Sequence, residues 1–133
     1  MNTVVLDTDV WSFVFKRDSR AEHYRAHLEG NVLCVSFQTV AELYQWAEMA
    51  HWGEKRRTQM RDWLDRFEVL LYDDDTAQLW ARIRAERDRQ GHPIAAQDAW
   101  VAACAARHGY PLVTNNASDY ANVPGLTLIS EPA

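Results

Sequence analysis

Thr3-Val4-Val5-Leu6-Asp7-Thr8-Asp9-Val10, near the start of the chain, decides the fold class. Thr3 to Leu6 is a short β-branched and apolar run, too brief for a helix and suited to a strand buried on both faces. Asp7 ends it, and Val10, Phe13 and Val14 then recur at helical spacing. A strand that passes straight into a helix is the first half of a crossover unit, and a crossover places the next strand parallel to the first.

The same rhythm continues outward from that stretch. Tyr24 and Leu28 share a second short helix that stops at Gly30, and Val32-Leu33-Cys34-Val35 is the next strand. Ser36 is placed to cap a helix with Val40, Leu43, Tyr44 and Ala47 on its inward stripe. The charged segment from Glu54 to Phe67 carries Met60, Trp63, Leu64 and Phe67 on another stripe, so the two predict a helical hairpin. Val69-Leu70-Leu71 predicts a third strand. Asp73-Asp74-Asp75 then opens a helix with Leu79, Trp80 and Ile83 inward and arginines outward, closed by Gly91-His92-Pro93. A last long helix runs from about Ala95 to His108, with Gly109 as its left-handed cap. Leu112-Val113-Thr114 is a strand, and Leu126-Thr127-Leu128-Ile129 is expected at a sheet edge. This pattern predicts a three-layer α/β/α domain with a mainly parallel central sheet and a helical hairpin, as one domain over residues 1–133.

Composition narrows the function classes. The chain has 133 residues, is 47% hydrophobic and 25% charged, and has a formal net charge of -5, which argues against coating by nucleic acid through bulk electrostatics. Among its cations only Lys16 and Lys55 are lysines; the rest are arginines, whose forked donors suit phosphate. Cys34 and Cys104 lack the spacing of a zinc or redox pair and are expected as buried free thiols. His23 and His27 lack a third ligand and are read as surface residues. No apolar run is long enough to span a bilayer, and Asp7 and Asp9 interrupt any leader-like core, so a cytoplasmic protein is expected.

In a parallel α/β sheet the functional crevice lies beyond the carboxyl ends of the strands. Asp7 terminates the first strand, Glu42 lies early in the helix after the second, Asp98 is in the first turn of the helix entering the fourth, and Asp119 follows the fourth. All four fall on one edge. Singly, each has a structural explanation: Asp7 as a turn residue, Glu42 closing a capping box with Thr39, Asp98 stabilising a helix dipole. Asp98 nevertheless shares its helix face with Val101, Ala102 and Ala105, where a carboxylate needs a partner. Clustered carboxylates repel unless cations neutralise them, and all-oxygen ligation suits Mg²⁺ or Mn²⁺ rather than zinc.

The chain resembles the PIN-domain ribonucleases, and within them the VapC toxins of type II toxin–antitoxin modules. The resemblance rests on Val5-Leu6-Asp7-Thr8-Asp9-Val10, on Ser36 with Ala41-Glu42-Leu43, and on Gly91-His92-Pro93-Ile94 leading to Asp98 and Val101-Ala102-Ala103. It continues through Leu112-Val113-Thr114-Asn115-Asn116, Asp119-Tyr120 and Val123-Pro124-Gly125-Leu126. It implies a metal-dependent endoribonuclease acting on tRNA or other structured RNA, with Asp7, Glu42 and Asp98 as core acids and Asp119 as a more variable fourth. Asp7 and Asp98 would hold metal directly, and Glu42 and Asp119 directly or through water. Asp9, Thr114 and Asn116 are candidates for the surrounding shell, although Asp9 stands where many relatives carry Asn, and Asn115 and Asn116 stand where many carry an acid.

The resemblance also implies a cognate VapB-type antitoxin as partner and a homodimer. Trp46, Trp52 and Trp63, in or beside the hairpin, are candidates for the partner surface, whereas Trp80 and Trp100 are read as core. Arg17, Arg20, Arg82 and Arg89 are candidates to line an RNA groove, with solvated helix faces as the alternative. Two rival functions stand beside the ribonuclease. One is a haloacid-dehalogenase-like phosphatase using Asp7 as nucleophile and Asp9 as acid; the other is a non-catalytic binding module of the same fold.

Overall fold

Side chains alternate along β1 (Thr3–Leu6), so Val4 and Leu6 enter one core while Val5 enters another. That alternation needs cover on both faces, and helices supply it. The structure, a computed structural model, describes residues 1–131; Pro132 and Ala133, the last positions of the expected 1–133 domain, lie outside the described residues. Among these, the helices are α1 (Thr8–Phe15), α2 (Arg25–Leu28), α3 (Phe37–Met49), α4 (Glu54–Leu64), α5 (Asp74–Arg89) and α6 (Ala96–His108). The remaining strands are β2 (Val32–Ser36), β3 (Glu68–Leu70), β4 (Leu112–Val113) and β5 (Leu128–Ile129).

Every strand pair is parallel and the sheet order is β3-β2-β1-β4-β5. On one face Val4, Leu6, Val35 and Val113 pack with Val10, Trp11 and Phe13 of α1, Leu43 and Ala47 of α3, and Met60 and Leu64 of α4. On the other, Val5, Cys34 and Leu112 pack with Ile83 of α5 and the small residues Ala99, Ala102, Ala103 and Ala105 of α6. The chain leaves β1 first toward β2 and β3 and later returns to β4 on the opposite side. The switch of direction at β1 opens a crevice at its carboxyl end.

The termini of the helices carry the chemistry the sequence predicted. Ser36 accepts from the Thr39 backbone N–H, and Asp73 and Thr76 form a reciprocal capping box at the start of α5. Gly109 closes α6 at φ +69°, a conformation open to glycine without strain.

Five expectations are corrected. Tyr44 is 44% exposed, because Leu43 and Ala47 already fill the contact of α3 with the sheet. The third strand is displaced to Glu68–Leu70, and its Val69 is 40% exposed; an edge strand with one neighbour does not bury both faces. The last strand shrinks to Leu128–Ile129, since Gly125 at φ +75° turns the chain and the Leu126 N–H bonds the Val123 carbonyl. Arg87 on α5 points inward rather than outward and is only 7% exposed. Trp80 is half-buried against the second core, whereas Trp100, expected in the core, is half-buried on the cleft side of α6 and stacks on Trp80 at 4.8 Å.

Candidate active site

Where β1 ends, Asp7 caps α1. Its Oδ1 accepts from the Thr8 backbone N–H at 2.8 Å. Its Oδ2 accepts from the Thr114 hydroxyl at 2.8 Å and from the Tyr120 hydroxyl at 2.9 Å. Thr114 follows β4, the strand beside β1, so parallel pairing alone brings its side chain to Asp7. Burial pushes the Asp7 carboxyl up; the hydrogen bonds from Thr114, Tyr120 and Thr8 oppose this, and the Glu42 charge adds to it.

Asp98, in the first turn of α6, is half-buried, and the Tyr120 hydroxyl lies 3.4 Å from its Oδ1. Its pKa rises to about 6, first through burial and then through the charges of Asp7, Asp119 and Glu42. Glu42, in the second turn of α3, accepts from the Thr8 hydroxyl at 2.8 Å and from Gln38 Nε2 at 3.1 Å. It therefore does not close a capping box with Thr39. Glu42 and Asp98 line one cleft of about 600 Å³, together with Gln38, Gln97 and Trp100. Asp119 is exposed in the 3-10 turn Ala117–Tyr120, and its charge raises both Asp98 and Asp9.

Asp9 is organised differently. It accepts from the Val10 N–H at 2.6 Å, the Asn115 N–H at 3.0 Å and Asn116 Nδ2 at 3.0 Å, so it ties α1 to the loop after β4. Its pKa rises to about 6, mainly through burial and then through Asp7. Thr114 Oγ accepts from the Asn116 N–H at 3.1 Å while donating to Asp7.

The acids therefore sit at one sheet edge, and neighbouring carboxylates add to the raised pKa values of Asp7, Asp9 and Asp98, a situation a cation relieves. Their donor set is all oxygen, which fits a hard divalent ion. Among the described residues, no group of three or more His, Cys, Asp or Glu side chains is close enough to form a ready cage.

Three residues in this network had no role assigned from sequence. Thr8 supports Glu42, and Tyr120 lies between Asp7 and Asp98. Arg87 donates Nε to the His92 carbonyl at 2.7 Å and an NH group to the carbonyls of Asp119 and Ala121 at 3.1 and 3.0 Å, holding the turn that carries Asp119. Arg87 was concealed as one of several arginines on a charged helix, and only its period with Ile83 hinted at burial.

The candidate RNA-contacting arginines do not converge on the acids as a group. Arg20 pairs with Asp18 at 2.8 Å, and its pKa is raised chiefly by that contact and additionally by Asp9. Arg89 pairs with Glu86, and Arg82 lies with Arg89 on the outer side of α5. Arg17 belongs to a different cleft, of about 660 Å³, with Phe15, Arg56, Trp63 and Arg66. Trp46, Trp52 and Trp63 are half-buried against the first core, and Lys16, Arg56 and Arg66 lie over their rings. Lys16 is thus engaged with Trp46 and Lys55 is on α4, so neither serves the acids as a phosphatase lysine would.

The sequence profile described as PIN domain matches residues 4–126. The tRNA(fMet)-specific endonuclease VapC of Shigella flexneri is 33% identical over 122 residues, covering 92% of each chain. Ribonuclease VapC2 of Haemophilus influenzae is 34% identical, again covering 92% of each. The crystal structure of DNA-bound VapBC from Salmonella typhimurium superposes with a TM-score of 0.85 at 31% identity, covering 98% of both chains.

Proposed function

The chain belongs to the PIN-domain family, among its VapC ribonucleases, and from that premise we propose that it is the toxin of a type II toxin–antitoxin pair, an endoribonuclease that hydrolyses phosphodiester bonds in tRNA or other structured RNA. The observation that carries this is the gathering of Asp7, Glu42 and Asp98 at the carboxyl edge of a parallel sheet, where burial and neighbouring carboxylates push the Asp7 and Asp98 carboxyls up. PIN-domain nucleases depend on divalent metal, and the oxygen donors here favour Mg²⁺, with Mn²⁺ as substitute.

Asp7 and Asp98 are the residues to hold the ion, with Glu42 and Asp119 engaging it directly or through water. A bound divalent cation supplies acidification of water and compensation of charge on the phosphate. Glu42, held by Thr8 and Gln38, orients the attacking water and accepts its proton. Thr114 and Tyr120 fix the Asp7 carboxylate, and Asp9 holds the Asn115 N–H and the Asn116 side-chain amide. In-line attack then needs no covalent intermediate, which separates this chemistry from the Asp7-nucleophile phosphatase.

The partner is a VapB-type antitoxin, and the active assembly a homodimer; the cationic and aromatic surface around Trp46, Trp52 and Trp63 is the candidate contact. No helix among the described residues is long and apolar enough to cross a membrane. A cytoplasmic location, where tRNA is met, is part of the same proposal. One domain over 1–133 completes the proposal.

Incubation of the purified protein with total RNA and Mg²⁺, beside Asp7→Asn and Asp98→Asn, tests it. Each variant is expected to lose ~10²-fold or more of its cleavage rate, because a missing ligand removes transition-state charge stabilisation. Equal cleavage by all three proteins exposes a contaminant, and no cleavage with any divalent metal favours a non-catalytic binding module.

A further inference from the structure

We propose that the Tyr120 hydroxyl is a neutral placeholder in the gap between Asp7 and Asp98, donating its one proton to Asp7 while its oxygen fills the approach to Asp98 without a cation, and competing with the cation that enters. The inference rests on the ion-holding roles given above to those two acids.

The phenol oxygen is 2.9 Å from Asp7 Oδ2 and 3.4 Å from Asp98 Oδ1, so one hydroxyl is within reach of both carboxylates. Asp7 Oδ2 also accepts from Thr114 at 2.8 Å. A carboxylate oxygen has two in-plane lone pairs, and both are therefore engaged. An ion placed between Asp7 Oδ2 and Asp98 must displace one donor, and of the two hydroxyls only Tyr120 contacts both acids.

Tyr120 is not free to drift away from this position. Its side chain is 1% exposed, and Arg87 bonds the carbonyls of Asp119 and Ala121, the residues on either side of it. The Asp119 turn thus delivers two groups of opposite effect. A carboxylate attracts the ion, and a hydroxyl fills the space before the ion arrives. Tyr120 is on this account a positioning residue: it touches the acids and not the RNA.

Mn²⁺ alone is the probe, titrated calorimetrically and by thermal melting into wild type, Tyr120→Phe, Thr114→Val and Asp7→Asn, each first stripped by chelator. Tyr120→Phe removes one oxygen and preserves the ring. It is expected to melt below wild type in chelator yet bind Mn²⁺ about tenfold more tightly, the size of one hydrogen bond to a charged group. Thr114→Val should melt lower without tighter binding, because the gap to Asp98 stays filled. A wild-type Mn²⁺ response abolished by Asp7→Asn, with Tyr120→Phe binding equally or more weakly, overturns the placeholder and leaves the ligand roles standing. Equal tightening in Tyr120→Phe and Thr114→Val also overturns it, since any donor to Asp7 would then suffice. Failure of wild type and Tyr120→Phe to respond to Mn²⁺ overturns the ligand roles and the placeholder with them.

Discussion

Thr8 donates its hydroxyl to Glu42 Oε2 at 2.8 Å, linking the first turn of α1 to the second turn of α3 across 34 positions of sequence. The same hydroxyl lies 3.0 Å from Thr39 Oγ. Glu42 is thereby aimed by a residue adjacent to Asp7. Thr8→Val keeps the shape and removes the donor. It should cost about 1 kcal/mol of stability and, if Glu42 orients the attacking water, slow cleavage about fivefold at saturating RNA. Urea denaturation and single-turnover kinetics measure the two effects, and unchanged turnover would remove Glu42 placement from the mechanism.

Asp9 offers a contrast with Asp7. Its oxygens are taken by the N–H groups of Val10 and Asn115 and by the Asn116 amide, a pattern that needs an acceptor more than a charge. Asp9→Asn keeps one acceptor oxygen for the Asn115 and Asn116 donors and loses the bond from the Val10 N–H, so cleavage should fall less than ~10-fold with the metal requirement unchanged. Asp9→Ala should fall further, because the Asn115 N–H then has no partner. If Asp9→Asn instead matches the loss in Asp7→Asn, Asp9 is a ligand.

How much of this was legible in sequence depended on whether a contact follows from local order. Asp7, Asp98 and Asp119 were placed from strand ends and helix first turns, and those positions follow from chain direction in a parallel sheet. Glu42 was placed the same way, but its partner Thr8 was not, since that bond depends on the angle between two helices. Tyr120 stood beside Asp119 in a quoted motif, yet its hydroxyl acquires meaning only once β4 is seen next to β1. Tyr44 and Val69 failed for a different reason: periodicity marks apolar residues without saying how wide the buried stripe is or whether a strand has two neighbours.

Arg87 is the residue that a charge pattern most directly misrepresents. Its guanidinium serves three backbone carbonyls, and among the described residues no carboxylate pairs with it. Arg87→Met would leave those buried acceptors without donors and should cost about 3 kcal/mol or more. Arg87→Lys reaches fewer of them and should retain the fold while loosening the Asp119 turn. The expected signature is faster proteolysis within 117–121 and a lower kcat with little change in KM. Equal loss in kcat and stability across both variants, with no local proteolysis, would reduce Arg87 to general packing.

Asp98 gives the pH dependence. Folding raises its pKa from 3.8 to about 6, so the folded state binds the proton more readily than the unfolded state. The charged form is the disfavoured one: its penalty is absent below pH 3.8, grows as pH rises, and is complete above about 6. Asp98→Asn removes that penalty, since asparagine carries no charge to bury or to repel Asp7, Glu42 and Asp119. In chelator the variant should therefore gain stability relative to wild type between about pH 4 and 6 and hold the gain at pH 7, while losing its RNA cleavage. Urea denaturation of both proteins across that range decides it. A stability difference that stays constant with pH would show that Asp98 is not under electrostatic strain in the folded chain.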